Sequence, residues 1–374
     1  MWLQILFFVL LHGKISCDCI KKINKIFCNE TTFVSGDIFN GTLDNINYIE
    51  IINRSRKPLT ITKDSFKNGT DLKTILMKEN KIRKLYAYTF RDLRNLESLY
   101  LYLNDISDMY PPTFVNLSSL KTIYLNENKL SFIREGTFED LPNLSQLDLS
   151  HNQLTELGDK ALNNLPNLTK LKLNNNKIRA IFVHKILSHP KKLKILWLHN
   201  NTLTVLSNFA LENLSNLKIL NLGFNNISTI EEGTFNQTPQ LNVLVLTHNK
   251  LKEISGNEFP RRGMDFLERL YIDHNYLMYL QSKFFIRLSS LKSVTLMGNP
   301  WFCPCLEDIY KTLRDNDIKE KCQQRYMTGE RPICVNDNVE NKVCTFHYDP
   351  ILSRKYINYF IHFPIVIPIS ECLI

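Results

Sequence analysis

Histidines, cysteines and adjacent carboxylates are the side chains of this chain that could carry catalytic or metal chemistry. The sequence contains no glycine-rich phosphate loop, no His-Glu-x-x-His and no Gly-x-Ser-x-Gly. Glu231 and Glu232 are adjacent, but they lie in a polar stretch where solvated carboxylates are expected. Cys303 and Cys305 have the wrong spacing for the common zinc fingers. We therefore predict no enzyme activity, no cofactor and no metal.

A sequence repeat predicts the secondary structure that positions these residues. Ten asparagines recur every 24 to 26 residues, each within the frame LxxLxLxxNxL. A fixed period of this size is typical of stacked coils and not of a closed globule. The ten are Asn80, Asn104, Asn128, Asn152, Asn176, Asn201, Asn225, Asn249, Asn275 and Asn299.

Each frame has a physical interpretation. Leu147 and Leu149 alternate as in a short strand with one buried face. A buried Asn152 can bond the unpaired backbone of the bend that follows. A second apolar position, from Phe90 to Phe285, fills the core from the convex side. Because one coil cannot bury its own leucines, the coils must stack, with a parallel sheet on the concave face.

The frame resembles the extracellular leucine-rich-repeat family, which includes slit-like proteins and Toll ectodomains. The resemblance covers residues 46–345 and implies an α/β fold, a right-handed horseshoe solenoid with short irregular or 3-10 convex segments and disulfide caps. One degenerate coil, with Ile46, Ile49 and Ile51, precedes the ten. The predicted divisions are a signal peptide (1–16), an N-terminal cysteine cap (17–45), the repeats (46–299), a C-terminal cysteine-rich cap (300–345) and an apolar tail (346–374).

All nine cysteines lie outside the ten regular repeats, at the two ends. Small caps need covalent staples, and disulfides persist in an oxidising compartment, so we predict a secreted, extracellular chain. The resemblance implies the pairs Cys17–Cys28, Cys303–Cys322 and Cys305–Cys344. Three cysteines, an odd number, remain unassigned: Cys19, Cys334 and Cys372.

Eleven Asn-x-Ser/Thr sequons predict a glycoprotein. Asn200 is predicted to lie on the concave face, where a glycan would direct a ligand toward the N-terminal coils. The sequons are Asn29, Asn40, Asn53, Asn68, Asn116, Asn143, Asn167, Asn200, Asn213, Asn226 and Asn236.

The net charge of +9 is uneven, because residues 54–94 hold twelve Lys and Arg against four Asp and Glu. This surplus fits either a solvated convex surface or a docking site for an anionic partner such as a sulfated glycan. Nucleic acid is not expected as a partner of a secreted chain. The predicted basic patch comprises Arg54, Arg56, Lys57, Lys81, Arg83 and Lys84.

Strand alternation predicts which side chains face solvent on the concave sheet. There the tyrosines of two coils form an aromatic cluster with polar neighbours, as binding hot spots do. Cross-strand packing that only stabilises the sheet is the alternative. The predicted partner-binding residues are Leu76, Tyr100, Tyr102, Leu103, Tyr124, Asn126 and Glu127.

The same face carries His151, His199, His248 and His274. His248 and His274 share one position in successive coils, with Asp273 adjacent. They could gain charge together on acidification and alter a contact, or they could be scattered surface histidines.

Together these features predict a secreted, non-enzymatic recognition protein that binds a partner, expected to be a protein, on its concave face. One alternative is a receptor or anchored adhesion ectodomain. The tail from Tyr356 onward contains Asn358, Pro364 and Glu371, however, and it fits a membrane helix poorly. The other alternative is a non-catalytic subunit of a secreted enzyme complex.

Overall fold

The computed structural model describes residues 18–29, 43–52, 58–321, 334–335, 343–344 and 346–361. Their concave face is one fourteen-stranded sheet, parallel throughout except for an antiparallel first pair. Eleven strands, from Tyr48–Ile52 to Ser293–Thr295, belong to successive coils, which confirms the solenoid and its degenerate first coil. The sheet comprises Asp18–Lys22, Lys25–Asn29, Tyr48–Ile52, Thr74–Leu76, Ser98–Tyr100, Thr122–Tyr124, Gln146–Asp148, Lys170–Lys172, Ile195–Trp197, Ile219–Asn221, Val243–Val245, Arg269–Tyr271, Ser293–Thr295 and Lys319–Glu320.

The remaining elements are short. Three strand pairs lie away from the concave sheet: Lys84–Leu85 with Asp108–Met109, Phe90–Arg91 with Phe114–Val115, and Val205–Leu206 with Thr229–Ile230. The helices are α1 (Val183–Ile186), α2 (Ser282–Ile286), α3 (Cys303–Asp315) and α4 (Pro350–Ile361), with a 3-10 turn at Pro190–Lys192. Within the described ranges no helix has the length and apolar character to cross a bilayer. The tail from 362 to 374 lies outside those ranges.

The ten asparagines form a hydrogen-bonded ladder along the coils, as predicted. The Asn152 amide donates to Leu125 O of the preceding coil at 3.0 Å and to Leu149 O of its own coil at 3.1 Å. Its Oδ1 accepts from the Leu130 amide at 3.0 Å. The bond to the preceding coil recurs at all ten positions, and every ladder asparagine is at most 8% exposed.

The residue before each ladder asparagine has a left-handed backbone, with φ between +53° at His151 and +73° at Gly298. This conformation costs about 1 kcal/mol or more for a residue with a Cβ. Because the ladder amide holds the carbonyls on both sides of the bend, each coil retains that conformation. The bend therefore ends every concave strand at the same point.

Leucines and a stack of phenylalanines fill the core. Leu144, Leu147, Leu149 and Leu154 are each at most 1% exposed. On the convex side, the rings of Phe90, Phe114 and Phe138 stack at centroid distances of 5.5 and 5.1 Å. At the C-terminal end Phe285 lies in the core as predicted, 9% exposed, and Phe284 beside it is also buried, with its ring 6.0 Å from that of Phe259.

The caps correct one predicted disulfide and confirm another. Cys303 pairs with Cys334 and not with Cys322, while Cys305 pairs with Cys344 as predicted. The reason is local: Phe302 forms a β-bridge with Val335, and this bridge brings Cys334 beside Cys303, with a Cα–Cα distance of 5.0 Å.

The other cysteine predictions fall at the edge of the described ranges. Cys28 is disulfide-bonded, but its predicted partner Cys17 lies outside the described residues, as do Cys322 and Cys372. The domain divisions stay predictions.

Asn152→Ala should lower the free energy of unfolding by about 1–3 kcal/mol, because it leaves buried carbonyls of two coils without a donor. The matched control is His151→Ala, next to it and exposed, which should change little. Chemical denaturation of both variants measures the difference, and a larger loss for His151→Ala would contradict the ladder.

Gly298→Ala should also destabilise the chain, by about 1 kcal/mol or more. A Cβ at Gly298 would lie 2.6 Å from Cδ2 of His274. Gly136→Ala is the matched control, since Gly136 has a similar φ of +75° but its Cβ would meet nothing nearer than 3.6 Å. Equal melting temperatures for the two variants would show that backbone strain, and not the clash with His274, causes the loss of stability.

Candidate functional site

A tyrosine cluster lies on the concave face of the N-terminal coils. Leu76, Tyr100 and Tyr124 are aligned across three adjacent strands. The rings of Tyr100 and Tyr124 stack at 5.0 Å, and Tyr102 meets Tyr100 edge-on at 6.4 Å. All three tyrosines are half-buried, so part of each ring faces solvent. Beside them Leu103 is 39% exposed.

Polar side chains border this tyrosine cluster. Asn126 donates to Glu127 at 3.3 Å, and Lys78 pairs with Glu79 at 3.7 Å. These groups lie where the strands end, toward the ladder bends. The structure therefore brings the seven predicted partner-binding residues together on one surface.

The cluster extends further toward the N-terminus than the sequence analysis predicted. Glu50 lies next to Leu76 in the sheet register, and it accepts a hydrogen bond from the Tyr48 hydroxyl at 3.0 Å. Burial and this bond raise the pKa of Tyr48 to about 12. Lys25 lies 5.4 Å from the centre of the Tyr48 ring. Counting from Ile46 in the degenerate coil, as in the regular coils, would have found both residues.

The middle coils present charge around a tryptophan. Lys172 pairs with Asp148 at 2.8 Å and lies 5.0 Å from the centre of the Trp197 ring. His199 lies 5.9 Å from the same ring, and burial lowers the pKa of His199 to about 4. Lys172 and Asp148 neutralise each other, whereas the buried Nδ1 of His199 has no hydrogen-bond partner among the described residues.

At the C-terminal end the concave positions are buried. Val245, Tyr271 and Thr295 occupy the same sheet positions as Tyr100 and Tyr124, yet they are at most 3% exposed. The concave face therefore offers little apolar surface at these C-terminal positions, whereas the three tyrosines and Leu103 remain partly exposed at the N-terminal end.

A polar network lies beside these buried positions. Asp273 accepts hydrogen bonds from Thr247, Thr295 and His274. Although burial alone would raise it, these bonds hold the pKa of the Asp273 carboxyl below its usual value. The His248 and His274 rings stack at 4.2 Å.

The burial of His248 argues against the hypothesis that the two histidines gain charge together. Burial, with His274 adjacent, lowers the pKa of His248 to about 4. His248 therefore remains neutral through the mildly acidic range, and the pair does not gain charge together there.

The described part of the basic patch is exposed. Lys81, Arg83 and Lys84 all lie on the surface, whereas Arg54, Arg56 and Lys57 lie outside the described residues. Sequence reasoning missed the aromatic pair beside them: Tyr86 and Tyr110 stack at 5.9 Å and are 43% and 37% exposed. Their separation of one repeat could have revealed the pair.

Cations also contact this aromatic pair. Lys84 Nζ lies 3.5 Å from the Tyr110 hydroxyl, and Arg134 lies 5.8 Å from the centre of the Tyr110 ring. Arg134 also pairs with Asp108 at 3.3 Å, so part of its charge is neutralised.

The sequons stay predictions. Asn200 is exposed at the concave rim, as expected, and its amide donates to Asn175. Asn143 and Asn167 are also exposed, and their amides donate to carbonyls of the preceding coil at 2.7 and 2.8 Å. Asn40, Asn53 and the side chain of Asn29 lie outside the described parts.

Solved structures with a similar fold include a chain of the Drosophila Toll–Spatzle complex, the APL1 leucine-rich repeat domain, and a chain of an octameric complex of Latrophilin 3, Unc5D and FLRT2. Each is 23% identical to this chain. The TM-scores are 0.66, 0.60 and 0.51, over 74%, 77% and 71% of this chain. The matches cover 38%, 70% and 87% of those chains, so this chain spans well under half of the first.

The repeats also match known sequence families. Residues 51–106, 101–154, 191–251 and 224–261 match the leucine rich repeat, and residues 142–185 match a pair of leucine rich repeats. No curated protein matches the sequence significantly. The matched repeats span more than half of the chain, and the fold agrees with them, so the chain belongs to the leucine-rich-repeat family.

Proposed function

We propose that this chain is an extracellular, non-enzymatic recognition protein that binds a protein partner on the N-terminal half of its concave sheet. The observation that carries the proposal is the tyrosine cluster, half-exposed on the concave face with polar side chains around it. Aromatic anchors within a polar rim are typical of binding hot spots.

The orientation of the tyrosines supports binding over packing. The stacked pair adds cross-strand stability, but its rings lie on the opposite side of the sheet from the leucine core. Within the described ranges no hydrogen bond engages the hydroxyls of Tyr100, Tyr102 and Tyr124, so each can bond a partner.

The site also suggests the chemistry of the partner. An apolar or aromatic group would cover the rings, while a basic group would meet the carboxylates of Glu50 and Glu127 at the border. Two observations are consistent with an extracellular protein that binds other proteins. The cap disulfides fit an oxidising compartment, and two similar structures, named for Toll–Spatzle and for Latrophilin 3, Unc5D and FLRT2, are protein complexes.

A second candidate function is docking of an anionic glycan at the basic patch. Arg83 and Lys84 of this patch are exposed, as is Arg91 in the same basic segment of residues 54–94, and no carboxylate of the described residues pairs with them. Uncompensated cations at this density attract sulfate groups, and the attraction weakens as salt rises.

The double variant Tyr100→Ala/Tyr124→Ala should weaken the partner complex by about 30-fold or more, because truncating a hot spot costs about 2 kcal/mol. Its melting temperature should change little. The partner is first captured from the native extracellular fluid with the unaltered chain. The unaltered chain, the double variant and a control variant are then titrated with it. The matched control is Tyr86→Ala/Tyr110→Ala, an exposed stacked pair on another face, which should bind normally. A lowered melting temperature with intact binding would show that the tyrosine cluster only stabilises the sheet.

The triple variant Arg83→Glu/Lys84→Glu/Arg91→Glu should elute from immobilised heparin at clearly lower salt than the unaltered chain. Lys191→Glu/Lys192→Glu/Lys194→Glu is the matched control, since it changes the net charge equally at another exposed basic stretch. Equal shifts for the two variants would show that net charge alone governs retention, and the patch would then have no specific role.

A further inference from the structure

A histidine pair lies on the concave rim of the C-terminal coils. His248 and His274 occupy the same left-handed position in adjacent coils, both with φ of +53°. Their rings stack at 4.2 Å with 12° between the planes. Phe224 stacks on the other face of His248 at 4.2 Å, and Gly298 lies against His274.

Hydrogen bonds to Asp273 fix the tautomers of both rings. His274 Nδ1 lies 3.0 Å from Oδ2 of this ionised carboxylate, which can only accept, so Nδ1 carries the proton. Thr247 donates its one hydroxyl hydrogen to the same Oδ2. The Thr247 oxygen can therefore only accept from His248 Nδ1, 3.1 Å away. Both rings consequently hold their proton on Nδ1.

This arrangement leaves two lone pairs, one on each Nε2. No described residue makes a hydrogen bond to either Nε2 atom. In proteins, a metal-ligating histidine typically donates its other N–H to a carboxylate, which orients the ring and raises its basicity. Asp273 does so directly for His274 and through Thr247 for His248.

Charge and distance favour a cation here. One potential ligand atom from each of His248, Asp273 and His274 lies within 4.8 Å of the other two. Within the described ranges no Lys or Arg pairs with Asp273, whose only ionic neighbour is His274. Neutral imidazole nitrogens select Zn²⁺, Cu²⁺ or Ni²⁺ over Ca²⁺ or Mg²⁺.

We propose that His248 and His274 bind one divalent transition-metal ion through their Nε2 atoms, with Asp273 as the positioning residue. Because the Nε2 lone pairs of stacked rings run nearly parallel, binding requires both rings to rotate out of the stack until the two Nε2 atoms converge on the ion. Water or a group from a partner then completes its coordination. The site is independent of the proposed tyrosine surface, which lies at the other end of the sheet.

Calorimetric titration with Zn²⁺ tests the proposal, using the full chain without a histidine tag and with its free thiols alkylated. The unaltered chain should bind one ion per chain saturably. His248→Phe and His274→Phe should each weaken binding at least tenfold. Both should fold, because Phe224 occupies the same position and conformation in the preceding coil. Melts without metal verify this.

Two further variants separate the roles. Asp273→Asn should weaken binding by about 10- to 100-fold with both imidazoles retained. His151→Ala, at the equivalent position of a distant coil, should bind normally. With Cu²⁺, electron paramagnetic resonance should show coupling to two nitrogens in the unaltered chain and to one in each Phe variant. Absence of saturable binding by the unaltered chain, or unchanged binding in His248→Phe, would overturn the proposal.

Discussion

The hydrogen bond from each ladder asparagine to a carbonyl of the preceding coil is the interaction on which the rest of this structure depends. It satisfies buried backbone at a bend where no strand partner is available. It also holds the residue before it in the left-handed conformation, at +53° in His151 and in His248 alike. Every concave strand therefore ends at the same point, and the coils remain in register.

Because the coils are in register, side chains at equivalent positions of adjacent coils can stack on one another. Residues one repeat apart face each other across about 5 Å, the spacing of adjacent strands. Tyr100 and Tyr124 stack on the concave sheet, His248 and His274 on its rim, and Phe90 and Phe114 in the core. The tyrosine cluster and the histidine pair thus arise from the same stacking of residues one repeat apart, with different residue types at the stacked positions. The fold supplies the geometry, and the side chains at the free positions supply the chemistry.

Local periodicity was enough to predict most of the fold. The frame around Asn152 predicts the strand, its buried face and the buried amide, because all of these depend on residues a few positions apart. The same alternation predicts that Tyr100 and Tyr124 share a face. The disulfide of Cys303 with Cys334 was not predictable in this way, since it depends on a bridge between Phe302 and Val335.

The candidate sites were predictable only in part, because exposure and hydrogen bonding depend on distant parts of the chain. The frame assigns Tyr271 and Tyr100 to the same kind of position, but Tyr271 is 3% exposed whereas Tyr100 is half-buried. The shared use of Asp273 by Thr247 and His274 links two coils, and the neighbouring sequence letters do not reveal it.

We propose that the N-terminal half of the concave sheet is the recognition surface. Hydroxyl-radical footprinting of the chain, alone and with its captured partner, tests it most directly because it measures the accessibility of individual side chains. We expect oxidation of Tyr100, Tyr102 and Tyr124 to fall in the complex, while Phe209, 59% exposed and outside the concave sheet, should react as before. Unchanged oxidation of the three tyrosines, with protection elsewhere, would contradict it.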